Sequence, residues 1–223
     1  MTNLSLLTIK QNGNHETIIK KSRFICTMAR ISTEDQAKKL IATITKDNPK
    51  ANHNCFAYVL GDQDQIQRES DNGEPSGTAG VPILEVLKMN ELHNVLAVVT
   101  RYFGGIKLGA GGLIRAYSNA TSTTIDQLGI VNLVTKKELI ITIDYNQLDS
   151  LNYFLTQKSI PVEDTAYATD VKVTVPVGQS SMADFKQQLM DLFSGNVHFT
   201  EGQDKLFEEP FSRQQREKKD QQQ

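Results

Sequence analysis

Residues 101–117, RYFGGIKLGAGGLIRAY, contain five glycines and three basic residues but no acidic residue. The residues just before them, NVLAVVTRY at 94–102, form an almost continuous apolar run, which is typical of a strand buried on both faces. From Leu113 to Leu128, apolar residues recur at three- and four-residue spacing, which predicts an amphipathic helix. The glycines therefore lie where a buried strand is followed by a helix.

A strand–loop–helix junction can present backbone N–H groups to a phosphate, because a helix N-terminus favours an anion. A Walker loop requires a lysine after its last glycine, and although Gly104 and Gly109 have the required spacing, Ala110 stands at the lysine position. A dinucleotide fingerprint would need glycine at position 114, which is Ile114. Both motifs are excluded. The alternative is that the glycines form tight turns and let the helix pack close to the sheet.

Three cations accompany these glycines, and we expect them to form a small positive concavity. Such a site would receive an RNA phosphate, a small phosphorylated ligand or an acidic peptide, and the residue types do not separate these ligands. Charged surface without a ligand is the alternative. The candidate nucleic-acid or anion-binding residues are Arg101, Gly104, Gly105, Lys107, Gly109, Gly111, Gly112 and Arg115.

A second candidate is the segment RESDNGEPSGTAG at residues 68–80, which is too long for a plain turn and is typical of a functional surface loop. Asp71 and Glu74 would hold a cation or act as acid and base, since paired carboxylates do both. The alternative is a loop ordered by Asp and Ser side chains that bond to its own backbone, with Thr78 capping the next helix. The loop candidates are Ser70, Asp71, Gly73, Glu74, Gly77 and Thr78, and no catalytic residue is assigned.

The two cysteines, Cys26 and Cys55, have no CxxC spacing, which argues against a disulfide framework or a structural zinc site. His53 and Cys55 are two residues apart and would share one face of a strand, as a Cys/His nucleophile pair requires. The alternative is that Cys55 is a small buried hydrophobe. We expect no metal and no cofactor.

The composition is that of an ordinary soluble protein: 223 residues, 39% hydrophobic and 22% charged. A net charge of −2 means that any nucleic-acid role needs a local basic patch rather than attraction by the whole protein. The N-terminus has no secretory signal pattern, and no apolar run is long enough to span a membrane. We therefore expect a cytoplasmic protein without a membrane partner.

The pattern of elements changes near residues 136–137. Residues 137–207 are predicted to form strand, helix, two strands, helix and strand, which is the β-α-β-β-α-β order of a ferredoxin-like unit. Residues 208–223 are polar and Gln-rich, and we expect a disordered tail. The predicted fold class is α+β, with an N-terminal domain at 1–136 and a ferredoxin-like C-terminal domain at 137–207.

Four segments carry a family resemblance: KKSRFI, HNCFAYVLG, SDNGEPSGTAGVPIL and above all VVTRYFGGIKLGAGGLIRAY. They resemble the Impact/YigZ family, and the C-terminal unit resembles the second domain of its bacterial YigZ branch. The resemblance implies an N-terminal domain of the ribosomal-protein type, related in fold to domain IV of elongation factor G. It also implies a C-terminal domain similar to domain V of that factor. The glycine segment and the loop at 70–80 match the family's motifs, and no catalytic role comes with them.

Eukaryotic Impact proteins regulate translation, so the resemblance implies a non-enzymatic, cytosolic regulator of translation. The expected partner is RNA or the ribosome, bound through the glycine-rich basic loop, and a translation-related protein is a further expected partner. The RWD interaction domain of the eukaryotic proteins is not expected here. Two alternatives stay open: an enzyme acting on a nucleotide or small phosphorylated metabolite, and an adaptor that binds only another protein.

Overall fold

A computed structural model describes residues 5–61 and 63–211. These residues contain five α-helices and two five-stranded sheets, so the predicted mixed α+β class is confirmed. The chain forms two compact units, Leu6–Asn132 with residues 209–211, and Leu133–Glu208. The strands are β1 (Ser5–Ile9), β2 (Gly13–Ile19), β3 (Ser22–Arg30), β4 (His53–Leu60), β5 (Ile66–Ser70), β6 (Val95–Tyr102), β7 (Ile130–Ile143), β8 (Asp164–Tyr167), β9 (Val171–Val177) and β10 (His198–Pro210). The helices are α1 (Glu34–Asp47), α2 (Gly80–Met89), α3 (Ala110–Leu128), α4 (Leu148–Gln157) and α5 (Met182–Leu192).

Strand β6 lies at the centre of the first unit, in an antiparallel sheet of order β2-β3-β6-β4-β5. Successive side chains of a strand point to opposite faces, and here both faces are covered. Val95, Ala97 and Val99 belong to the core that α2 and α3 close, whereas Leu96 and Val98 belong to the core beneath α1. The predicted burial of this strand on both faces is therefore confirmed.

Gly104 is required by close packing of two backbone segments. A Cβ at this position would lie 2.0 Å from the carbonyl carbon of Lys21, in the turn between β2 and β3. The Gly104 N–H also donates to the Ser22 hydroxyl at 3.1 Å. Any side chain would force these segments apart and break the contact that anchors the start of the glycine-rich loop.

The structure requires glycine at position 109 but not at position 111. Gly109 is the N-cap of α3 with φ of 69°, a left-handed conformation that favours glycine. Gly111 lies in the first turn of α3, and a Cβ built on it meets nothing within 4 Å. Neither packing nor a positive φ requires glycine at position 111. Glycine is also a poor helix former, so it does not stabilise α3 at this position.

The start of α2 shows that one part of the loop prediction is wrong. The Asp71 carboxylate accepts hydrogen bonds from the backbone N–H groups of Ala79 and Gly80, both at 2.9 Å, and so caps this helix. The Thr78 hydroxyl, which was expected to be the cap, instead donates to the Pro75 carbonyl at 2.6 Å. Sequence spacing alone could not show that the loop folds back to bring a carboxylate from eight residues away.

The second unit contains the element order β7-α4-β8-β9-α5-β10. Its strands follow the order β10-β7-β9-β8. Leu139, Ile141 and Val173 of the sheet pack with Leu151 of α4 and Leu189 of α5 in one apolar core.

The predicted disordered tail starts too early in the sequence. Strand β10 continues to Pro210, so residues 208–210 are extended and paired rather than part of a tail. The remaining predicted tail, residues 212–223, lies outside the described residues. Within the described ranges, every helix is too short or too polar to cross a lipid bilayer.

Substitution of two glycines by alanine tests this account of the loop. Gly104→Ala should lower the free energy of unfolding by about 1–3 kcal/mol, because the new methyl group overpacks a backbone contact. Gly111→Ala should leave it unchanged or raise it by about 0.5–1 kcal/mol, because alanine is the better helix former and the space is open. Urea unfolding measures both. Equal losses for the two variants would contradict the assignment.

Candidate functional site

A pocket of about 430 Å³ opens between the end of β6, the start of α3 and the loop that follows β5. We call it the β6–α3 pocket and define it by His53, Glu74, Arg101, Phe103, Lys107 and Ala110, which are among its lining residues. It brings together the two candidate segments of the sequence, since Glu74 comes from the loop and Arg101 and Lys107 come from the glycine-rich stretch. Their proximity makes this pocket the candidate site.

A buried ion pair forms one wall of the pocket. Arg101 is 6% exposed and Glu74 is 9% exposed, and Nη1 of the arginine donates to Oε1 of the glutamate at 2.5 Å. The Tyr117 hydroxyl donates to the same oxygen at 2.8 Å. The guanidinium also lies over the rings of Phe24 and Phe103, with centroid distances of 5.4 and 5.6 Å. Removing one partner of such a pair leaves an uncompensated buried charge, so the pair holds the loop, β6 and α3 together.

Arg101 is not fully satisfied. Its Nε is buried and has no hydrogen-bond partner among the described residues. A buried donor without an acceptor costs roughly 1–3 kcal/mol relative to a paired one. An arginine that lines a pocket and lacks one acceptor is therefore a group that an incoming anion would satisfy.

His53 faces the same pocket and is oriented by the backbone. Its Nδ1 lies 2.9 Å from the carbonyl oxygen of Asn72, which only accepts, so this nitrogen carries the proton. Nε2 then points to the other side and lies 3.9 Å from Glu74 Oε1. The sequence marked His53 only as a neighbour of Cys55, because its contacts come from a loop 19 residues further along the chain.

The N-terminus of α3 supplies backbone donors at the pocket. Its N-cap is Gly109, which has no side chain to accept from the first turn, and no capping side-chain bond is made within the described chain. The first backbone N–H groups of a helix have no partner inside the helix and carry its positive dipole end. Lys107, which is exposed, stands just before this turn. Ala110 at the start of α3 lines the pocket.

The three cations of the glycine-rich stretch do not form the single concavity that the sequence predicts. Arg101 is buried and paired with Glu74, so its charge is largely compensated. Lys107 remains at the β6–α3 pocket. Arg115 lies on the exposed side of α3 and lines a different groove of about 710 Å³, together with Met89 of α2. Arg115 follows the pocket-lining residue Leu113 by two positions, a rotation of about 200° around α3, so its side chain lies on the opposite side of the helix.

Asp71 and Glu74 are not arranged as a carboxylate pair for a cation or for acid–base work. The Asp71 oxygens are occupied by backbone N–H groups, including that of Gly77 at 2.7 Å. Burial alone would raise the pKa of the Asp71 carboxyl, but these backbone donors outweigh it and hold the pKa below its usual value. In the described part of the chain, no group of three or more His, Cys, Asp and Glu side chains is placed to hold a metal ion.

The cysteines are poor nucleophiles in this fold. Burial raises the pKa of the Cys26 and Cys55 thiols to about 12. The Cys55 thiol donates to the Asp71 carbonyl at 2.9 Å and lies 3.4 Å from the Tyr117 hydroxyl, so it is part of the packing behind the ion pair. The alternative of a small buried hydrophobe describes Cys55 better than a Cys/His nucleophile pair does.

A double-mutant cycle tests the ion pair. Glu74→Ala should lower the free energy of unfolding by about 3–5 kcal/mol, because Arg101 is left buried without a counter-ion. Glu74→Ala combined with Arg101→Ala should cost less than the sum of the two single changes, by about 1–3 kcal/mol, since the pair is lost once. Urea unfolding of all four proteins gives the coupling energy.

The exposed pair of Arg23 and Glu16 is the matched control, because it is also bonded but lies in solvent. Its cycle should show little coupling. A Glu74–Arg101 coupling as small as that of this pair would contradict the assignment.

The thiols give a second test. With a pKa of about 12, on the order of one thiol in ten thousand is ionised at pH 8, so native Cys26 and Cys55 should not react with iodoacetamide over an hour. The same protein in concentrated urea should be alkylated at both positions, as mass spectrometry would show. Rapid alkylation of Cys55 in the native protein would contradict this assignment and support the Cys/His nucleophile pair.

Two family models match the chain. One is described as Impact N-terminal domain and matches residues 20–125, a range that includes every residue named for the β6–α3 pocket. The other is described as Domain of unknown function (DUF1949) and matches residues 141–196, within the second unit.

Individual proteins agree with these matches. The chain is 43% identical over 199 residues to IMPACT family member YvyE of Bacillus subtilis, covering 89% of this chain and 92% of that protein. It is 34% identical over 181 residues to IMPACT family member YigZ of Escherichia coli, covering 80% of this chain and 89% of that protein. A crystal structure described as that of an hypothetical protein is similar with a TM-score of 0.57 at 32% identity, over 89% of this chain and 97% of that one. The predicted family is therefore confirmed, and the chain belongs to the Impact family.

Proposed function

We propose that the protein is a cytosolic regulator of translation that binds RNA, free or within the ribosome, on the surface around the start of α3. One observation carries the proposal: the uncapped N-terminus of this 19-residue helix lies next to exposed Lys107 and to Phe103, which is 46% exposed. Backbone donors, an exposed cation and an aromatic ring are the groups with which proteins bind single-stranded nucleic acid.

The charges on this surface favour an anionic partner. The chain as a whole has a net charge of −2, so attraction to RNA must be local. Glu74 compensates Arg101, whereas Lys107 before α3 and Arg115 on α3 remain exposed. Lys107 just before α3 and Arg115 on α3 would each contact a phosphate of an RNA strand that passes the start of this helix.

An exposed ring beside these cations supports contact with a base. Phe103 is held at its backbone, where its N–H donates to the Asn52 side chain at 2.8 Å, while its ring remains half exposed. Ile106 in the same loop is 41% exposed. Exposed apolar side chains next to cations are typical of a surface that a partner covers. Stacking of a base on an aromatic ring is one such contact, and it is tolerant of sequence.

The proposal includes the domain assignment that the family resemblance implies. The first unit would correspond to a ribosomal-protein type module related to domain IV of elongation factor G, and the second to a ferredoxin-like module similar to domain V. Membership of the Impact family supports a translation-related role, since eukaryotic Impact proteins regulate translation. A translation-related protein would then be a further partner.

RNA binding at low salt tests this function. Fluorescence anisotropy with a labelled single-stranded RNA should show binding that weakens as salt rises. Lys107→Ala combined with Arg115→Ala should weaken binding and reduce the slope of log K against log salt by about 1.4, since each phosphate contact contributes about 0.7 for a single strand. The matched control is Lys38→Ala with Lys39→Ala, two exposed lysines on α1 of the same unit.

The control pair should leave both affinity and slope unchanged. If the Lys107 and Arg115 variant bound RNA as the native protein does, the proposed surface would be wrong. If neither RNA nor purified ribosomes bound the native protein at low salt, the function itself would be wrong.

A further inference from the structure

We propose that the β6–α3 pocket binds a terminal phosphate group, a phosphomonoester, at the end of an RNA or on a small phosphorylated ligand. This inference shares Lys107 and the start of α3 with the proposed RNA surface, and to that extent it rests on the proposed function. The pocket itself lies behind the exposed loop, and its walls come from β4, β6, α3 and the loop after β5.

The first observation is the set of donors that converge on the pocket. The first turn of α3 has no capping side chain within the described residues, so its backbone N–H groups are available to an anion. Ala110 places this turn at the pocket wall, and Lys107, which is exposed, is also among the lining residues and adds a positive charge.

The second observation is independent of the helix. Arg101 lines the pocket, is 6% exposed and has an Nε without a hydrogen-bond partner in the described chain. A buried guanidinium nitrogen without an acceptor is destabilising, so a phosphate that reaches Arg101 would gain by supplying that acceptor.

The Glu74 carboxylate does not oppose an anion as strongly as a free carboxylate would. Its Oε1 accepts from Arg101 Nη1 and from the Tyr117 hydroxyl, and His53 Nε2 lies 3.9 Å away. The hydrogen bonds from Arg101 and Tyr117 compensate its charge and fix the position of the guanidinium. We therefore assign Glu74 the role of a positioning residue for Arg101, not that of a ligand contact.

A terminal phosphate fits this arrangement better than an internal one. A phosphomonoester has three terminal oxygens and nearly two negative charges at pH 7, so it can use the helix donors, Lys107 and Arg101 together. An internal phosphodiester has two non-bridging oxygens and one charge, and both of its ester links must leave the pocket. Much of the wall is apolar, including Phe103, Pro75 and Leu113, so the polar contacts are concentrated at a few groups, which suits a compact ligand end.

The experiment compares ligands that differ only in the terminal phosphate. One pair of probes is a single-stranded RNA labelled at its 3′ end, carrying either a 5′-phosphate or a 5′-hydroxyl. The other pair is adenosine 5′-monophosphate and adenosine, tested by thermal shift. The phosphorylated RNA should bind about tenfold more tightly, and the monophosphate but not the nucleoside should raise the melting temperature.

Ala110→Glu is the diagnostic variant. A carboxylate at the first position of α3 suits the helix dipole, so the fold should be kept, while it occupies the donors and repels a phosphate. It should remove the tenfold preference and the thermal shift. Ala110→Gln has the same size without the charge, and it should keep the preference within about threefold.

The outcomes separate the two proposals. If both RNAs bind equally and the monophosphate gives no thermal shift, the pocket inference is overturned and RNA binding stands. If no RNA binds but the monophosphate shifts the melting temperature, the pocket takes a small phosphorylated ligand and the RNA function is overturned. If Ala110→Glu keeps the full preference, the phosphate binds elsewhere and the inference is wrong.

Discussion

The buried ion pair between Arg101 and Glu74 is the interaction on which the rest of the site depends. It connects the end of β6 to the loop after β5, and the Tyr117 hydroxyl connects the same carboxylate to α3. Two charges removed from water are tolerated only when their partners are well placed, so these three elements cannot move independently without exposing an uncompensated charge. The pocket is therefore a consequence of how one arginine is neutralised, and its geometry is fixed before any ligand arrives.

The glycine-rich stretch contains glycines that the structure requires and at least one that it does not require. Gly104 is imposed by a backbone contact and Gly109 by its conformation, whereas Gly111 has open space around it. Evolution of a loop for packing alone would favour a better helix former at position 111. An uncapped first turn with an unneeded glycine keeps the approach to the helix donors clear, which is what a site for an anion requires.

Much of the fold was predictable, because burial leaves a periodic trace in the sequence. The apolar run of β6 and the spacing of α3 both follow from which side chains face a core. The site was less predictable, because Glu74 and Arg101 are 27 residues apart and ion pairing leaves no local pattern. Tyr117 has the spacing of a core residue and is one, so only the structure shows its hydroxyl bonded to Glu74. The groove that receives Arg115 depends on where α2 packs, which no spacing within α3 reveals.

Binding of phosphate at the start of α3, beside Arg101, is the proposal on which the site assignment depends. The most direct measurement is an amide NMR titration of the full chain with a 5′-phosphorylated oligoribonucleotide and, separately, with its 5′-hydroxyl form. We expect the phosphorylated ligand to shift the backbone N–H signals of Ala110, Gly111 and Gly112 and the side-chain Nε–H signal of Arg101. We expect the hydroxyl form to leave the Arg101 signal in place. Shifts confined to other surfaces, with these four signals unmoved at saturation, would contradict it.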